Sequence, residues 1–161
     1  MIALTDEDRR AYQANIWKSY LLHFLLNFQL WWGIWVLYLQ DMRGFSLTQI
    51  TLLEALFWGT AVFAEVPTGA IADRFGRKTS LALGAACVTV AVIAFALGTN
   101  YWIVLVSYLA WAFGAAFMSG AEYALIYESL KAVGKESEFQ RVAGRLGAIF
   151  SFAVLAGGVA G

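Results

Sequence analysis

Charge is what this chain has least of. Only 14% of its 161 residues are Asp, Glu, Lys or Arg, against roughly 25% in an ordinary soluble domain. Hydrophobic residues make up 61%, more than a soluble core can absorb in so short a chain, so the class is integral membrane protein and the bilayer is its first partner. Cysteine is nearly absent. Cys87 stands alone in an apolar run, which excludes an intrachain disulfide and reads as a packed thiol. One histidine and one cysteine give no metal-spaced set. The net charge is zero and the cations fall in a few short stretches, which leaves nothing for nucleic acid to bind. Lys78-Thr79 lacks the Gly-Lys pairing and the preceding strand of a phosphate loop, and no dinucleotide fingerprint or nucleophile–base pairing is present. No cofactor and no enzyme activity are expected.

What is there is apolar length. Five runs, over residues 16–39, 47–72, 79–97, 101–127 and 146–161, each reach or approach what about 30 Å of hydrocarbon requires at 1.5 Å per residue. The expected fold is an all-α integral membrane helical bundle. Residues 1–17 read as a cytoplasmic N-terminal segment and 18–161 as a transmembrane domain of about five spans, the first a retained signal anchor. Ser46-Leu47-Thr48-Gln49 has the pattern of a capping box, with Phe45 and Ile50 placed as a hydrophobic staple. Gly98-Thr99-Asn100 is a charge-free turn, and residues 131–145 read as a polar, helical surface segment. Arg9, Arg10 and Lys18, then Arg74, Arg77 and Lys78, then Lys131, Lys135, Arg141 and Arg145 fall on one side of these spans, and only Arg43 on the other. The positive-inside rule then puts the N-terminus in the cytoplasm.

The densest signal lies between the second and third runs. Asp73, Arg74, Arg77 and Lys78 would each cost about 2.5–3.5 kcal/mol at the centre of a span, so the stretch is a tight, cationic hairpin at the cytoplasmic surface. Gly69, Asp73, Arg74, Gly76, Arg77 and Lys78 spell G-x-x-x-D-R-x-G-R-K after Glu65-Val66-Pro67-Thr68. This resembles the loop 2–3 signature of the major facilitator superfamily of secondary transporters. The positive-inside rule alone accounts for the three cations, but not for the glycine spacing or Asp73.

The resemblance implies more. Members usually have twelve spans in two six-span halves and work by alternating access. The chain would supply the first five spans of the first half. Its last run covers only about 24 Å of helix, so the expectation is a fragment or truncated product whose partner is the missing C-terminal half. The implied function is export of small, drug-like molecules from the cell, at a bacterial-type plasma (inner) membrane, coupled to an ion or proton gradient. The alternatives are an importer of the same fold and a truncated, non-transporting membrane module. In the implied gate Arg77 bridges to Glu128 at the end of the fourth span, Asp73 caps a helix of the second half, and Gly69 lets that helix approach. Two features depart from proton-driven drug exporters. No arginine precedes Gly114, where Ala110 stands, and Gly157-Gly158-Val159-Ala160-Gly161 resembles their fifth-span glycine run without its proline.

Ionisable groups inside spans are functional candidates because each must be paired, hydrated or neutralised. Glu65, Glu122, Glu54 and His23 are the proton-coupling candidates, each with a hydrogen-bonded structural role as its alternative. Glu54 and Glu65 are eleven residues apart on one helix face, about 16 Å along it. Glu65 precedes Pro67, which removes a backbone hydrogen bond and can kink the helix. The substrate-cavity candidates are Ser107, Trp111, Gly114 and Met118 on the fourth span, in one stripe with Glu122, and Asn27 and Trp31 on the His23 face of the first, with Gln29 pointing elsewhere. Helix–helix packing at small residues is the other reading of the fourth-span stripe.

Overall fold

Helix α1 (Asp6–Asn27) begins where a side chain can stand in for the missing turn. The computed structural model describes residues 5–31 and 33–160. The Thr5 hydroxyl accepts from the Asp8 N–H at 3.1 Å, and the Asp8 carboxylate accepts from the Thr5 N–H at 3.0 Å. This reciprocal box satisfies two of the donors a helix start leaves over. The next start, α3 (Leu47–Phe75), uses the predicted box: Gln49 N–H donates to Ser46 Oγ at 3.2 Å, and Ser46 N–H to Gln49 Oε1 at 2.9 Å. The staple residues Phe45 and Ile50 are both buried.

The first apolar run is not one helix. Residues 16–39 were expected to span continuously, but α1 ends at Asn27. Only the three-residue helix α2 (Trp35–Leu37) and a π-helical turn over Tyr38–Met42 follow. Side-chain amides compete with the helix for its carbonyls. Asn27 Nδ2 donates to the His23 carbonyl at 2.7 Å and Gln29 Nε2 to that of Leu26 at 2.7 Å, so the end is capped where hydropathy alone would carry it on.

Four helices are long and apolar enough to cross a membrane among the described residues: α3, α4 (Arg77–Leu97), α5 (Tyr101–Ala132) and the stretch from Glu136 that contains α6 (Phe139–Ala160). The outward faces stay apolar, with Phe63 84% and Val159 87% exposed, as lipid contact requires. The predicted surface segment at 131–145 is not a separate element. α5 runs on to Ala132, and α6 starts at Phe139 after a 3-10 turn. Between them Gly134, at φ 75°, closes a Schellman motif: Lys135 N–H donates to the Leu130 carbonyl at 2.9 Å and Gly134 N–H to that of Lys131 at 3.1 Å.

The chain forms two compact units. In the first, described residues up to Trp35 join those from Tyr123 onward. Ile126, Leu130, Val142 and Leu146 form its core, with Ile16, Tyr20 and Phe139 packed against them. Buried Asn15 donates to Ser129 Oγ at 3.0 Å, so α1 is already packed before the expected boundary at residue 17. In the second unit, Val36–Glu122, α4 lies against α5 through glycine. A Cβ at Gly84 would stand 2.9 Å from the Gly114 carbonyl and 3.1 Å from Phe117 Cβ. Ser80 Oγ donates to the Phe117 carbonyl at 2.8 Å.

Two outcomes follow. The bonds from the Thr5 side chain, then its backbone, hold the Asp8 carboxyl below its ordinary value. A lowered folded-state pKa makes this contribution complete above the ordinary carboxylate range and removes it as pH falls through the lowered value. The protection factor of the Asp8 amide, its exchange rate referred to the intrinsic rate at each pH, should fall in acid, and Asp8→Ala should show the low protection at every pH. At the second contact, Gly84→Val should destabilise the second unit by about 1–3 kcal/mol, because backbone stands in the way. Equilibrium unfolding in mixed micelles reads the loss, with Ala85→Val on the same helix as the reference.

Candidate functional site

The cationic motif lies in helix, not in a loop. The second span was expected to end at Ala72 and the third to start at Thr79, but α3 continues to Phe75 and α4 starts at Arg77. The charge cost fixes the depth of these residues, not their conformation, and nothing before Gly76 breaks a helix. Gly76 alone is the joint. Its N–H donates to the Ala72 carbonyl at 2.9 Å, closing α3, and its carbonyl accepts from Ser80 N–H at 3.2 Å, opening α4. It does so at φ 92° and ψ 152°, a region essentially reserved for glycine.

The charges are arranged around that joint. Arg77 Nη1 meets Asp73 Oδ1 at 2.6 Å, one turn apart in sequence and on either side of Gly76. Asp73 in the last turn of α3 and Arg77 at the start of α4 each oppose their own helix dipole, and the pair compensates both. Arg74, by contrast, suits the end of α3 and lies 5.4 Å from the Phe75 ring. Lys78 is exposed. Asp73 keeps 69% of its side-chain surface exposed, and Arg77 25%. A Cβ on Gly69 would meet nothing within 4 Å, so packing within this chain does not require that glycine. Glu65 is exposed on the same face, one turn before Gly69. Helix α3 passes through Pro67 unbroken, and the buried Thr68 hydroxyl donates to the Ala64 carbonyl at 2.8 Å. Glu128 is exposed on the part of α5 that belongs to the first unit.

The cavity candidates divide. Gly114 and Met118 form the contact with α4, where a Cβ on Gly114 would stand 2.7 Å from Val88 Cγ2 and one on Gly84 would collide with Met118. Both thus take part in helix–helix packing at small residues. Ser107 is buried and donates to its own helix, at the Val104 carbonyl. Trp111 stacks edge-on with Phe57 and Tyr108. Glu122 is buried on α5, and Glu54 is half-buried on α3.

On α1, His23 faces Phe150 with ring centroids 6.2 Å apart, and the Asn27 amide donates to the His23 carbonyl. The helical wheel fails beyond Asn27. Gln29, expected to point elsewhere, accepts from the Trp31 indole at 2.6 Å while capping Leu26. The reason is that no helix exists there to separate them.

Sequence reasoning missed three features. Ser80 and Gly84 form a small-xxx-small pair, a signal that was available. Arg43, read only as a stray charge, donates to Tyr38 Oη at 2.7 Å and to the Ala96 carbonyl at 3.2 Å, covering the C-terminus of α4. Gly157 is where the Gln29 backbone crosses α6, its would-be Cβ 2.7 Å from the Gln29 carbonyl oxygen.

Gly76→Ala should cost about 1–3 kcal/mol of unfolding free energy, because the backbone would be strained. Gly69→Ala should leave the stability of the chain within about 0.5 kcal/mol, or raise it slightly. Mixed-micelle unfolding of the two variants separates the glycine needed by this chain's fold from the one left open.

Residues 20–161 match the family model of the Major Facilitator Superfamily. The search of curated proteins found no match.

Proposed function

The chain belongs to the Major Facilitator Superfamily, and on that premise we propose that it exports small molecules by alternating access, driven by an ion or proton gradient. The observation that carries the reading is one face of α3. Glu65, Gly69 and Asp73 recur there at helical spacing, with Val62 and Val66 alongside, all five outside the packing of this chain or at its edge. A lipid-facing stripe has no use for the Glu65 carboxylate, and a bare glycine gains nothing against lipid tails. The stripe suits a second set of helices that approaches and withdraws.

In this cycle the Gly76 joint holds the gate. Asp73 caps the incoming helix, Gly69 admits its backbone, and Arg77 exchanges Asp73 for another carboxylate. Two such arrangements make a bistable latch. Glu65 and Glu122 are the proposed carriers of the coupling proton, with Glu54 and His23 behind them. Trp111 and Ser107 in the second unit, and Asn27 and Trp31 in the first, are the proposed substrate contacts. The membrane is the cell's plasma membrane. Its cytoplasmic side bears the Gly76 joint, the α1 N-terminus and the turn at Gly134, which together collect ten of the chain's eleven lysines and arginines. The cargo comes from the membrane or the cytoplasm.

Inverted membrane vesicles from cells expressing the open reading frame that encodes this chain provide the test. Cationic, neutral and anionic fluorescent dyes are offered with an imposed pH gradient. At least one should accumulate, the accumulation should collapse with an uncoupler, and Asp73→Asn should slow it by about tenfold or more without lowering the amount of inserted protein. Uptake insensitive to the uncoupler, or an Asp73→Asn rate equal to that of the wild type, would sink the proposal.

A further inference from the structure

Glu54 sits in a corner made of aromatic rings. It lies seven residues into α3, and Tyr108 seven residues into α5, so both are about 10 Å along helices that start from the same side. The Phe57 ring and the Trp58 indole follow Glu54 by three and four residues, so all three share one face of α3. Phe57 ties the walls together. Its ring is 5.2 Å from Trp58 at 88°, 6.5 Å from Tyr108 at 84°, and 6.3 Å from Trp111 at 83°. Edge-to-face contacts of this kind fix the rings relative to one another and hold the cluster in one arrangement.

No lysine, arginine or histidine forms an ion pair with Glu54 among the described residues. An acid at this depth needs a partner, water or a proton. The corner is also open. Trp58 is 64% exposed and Glu54 half-buried, whereas Tyr108 is only 6% exposed and forms the floor. A half-buried carboxylate and an exposed indole one turn apart, backed by a cluster of rings, match one ligand chemistry. The carboxylate supplies the counter-charge, and the rings replace the weak hydration of a quaternary or bulky ammonium group through cation–π contact. An inorganic ion such as sodium would instead need several oxygen ligands, and this corner offers only one carboxylate and a phenol.

We propose that Glu54, Phe57, Trp58, Tyr108 and Trp111 form a binding site for organic cations, with Glu54 as the counter-charge and the rings as the walls. The inference names a substrate class for the proposed transporter and rests on that reading for its purpose. Its test does not require transport.

The full chain in lipid nanodiscs is titrated with benzyltrimethylammonium, and binding is followed by equilibrium dialysis against empty nanodiscs. Saturable binding is expected. Glu54→Gln should weaken it by about tenfold, and Glu54→Asp should keep most of it. Phe57→Leu should weaken it less, by about threefold. Neopentylbenzene, the uncharged carbon isostere, should not displace the cation. Circular dichroism and gel filtration verify that each variant is folded. Equal binding by wild type and Glu54→Gln, displacement by the neutral isostere, or no saturable binding by the folded chain would each overturn the site. If vesicles transport neutral dyes while the cation does not bind, the site falls and the transport reading stands. If binding holds while no dye is moved, the transport reading falls and the site stands.

Discussion

A backbone in lipid has no water to satisfy its N–H and C=O groups, so each helix end must find partners within the protein. This constraint explains how a chain with so little polarity uses what it has. Thr5 with Asp8 and Ser46 with Gln49 close two helix starts reciprocally. Asn27 and Gln29 turn their amides back on the end of α1. Arg43 places its guanidinium over carbonyls at the end of α4, where a cation also complements the helix dipole. Gly76 and Gly134 accept positive φ so that the chain can reverse within one or a few residues. Much of the scarce polarity is thus spent at helix ends, and this is why a polar residue away from an end stands out.

Between helices a different constraint rules. Lipid tails are as apolar as leucine, so burial in the bilayer gives no drive to associate, and close contact plus a few hydrogen bonds must supply it. The second unit meets this with Gly84 against Gly114 and Ser80 bonded to the Phe117 carbonyl. The first unit uses Asn15 with Ser129, and Gly157 beneath the Gln29 backbone. The last contact joins the two constraints. Where α1 unwinds, its bare backbone needs cover, and only a glycine on α6 lets it come close enough to be covered.

The parts of this structure governed by local chemistry could be read from the residues. The Ser46 box, the charge-free turn before α5 and the family signature around Asp73 all depend on short spacings that a sequence displays directly. The end of α1 did not show because hydropathy stays high from Ile16 to Leu39, while two amides with identical polarity to any solvated pair decide the matter by direction. The hairpin was legible in depth but not in shape. Four charges exclude the membrane centre whether they lie in a loop or in helix ends, and only the φ of Gly76 distinguishes the two. Gly114 and Met118 kept two readings because a stripe of small and soft residues suits a cavity and a tight contact equally. Their close approach to Gly84 and Val88 on another helix is a contact that no periodicity within α5 could supply.

The strength of the Asp73–Arg77 pair bears on what the motif can do. Its geometry is close, with Asp73 mostly exposed and Arg77 only a quarter so, and solvent screening at the exposed carboxylate keeps such a pair weak. A buried pair would be far costlier to break, since parting it strands a charge in a poor solvent. A pair whose carboxylate stays in solvent, across a one-residue joint, can therefore be exchanged for another partner at modest net cost. It neutralises two unfavourable dipole placements while it lasts and leaves both groups near the surface when it parts. A latch that must open on every cycle needs contacts of that grade, numerous enough to favour one state and weak enough individually to yield. The rigid part is Gly76, whose backbone geometry fixes where the two helices meet. In the proposed transporter the joint keeps its shape while the charges around it change partners.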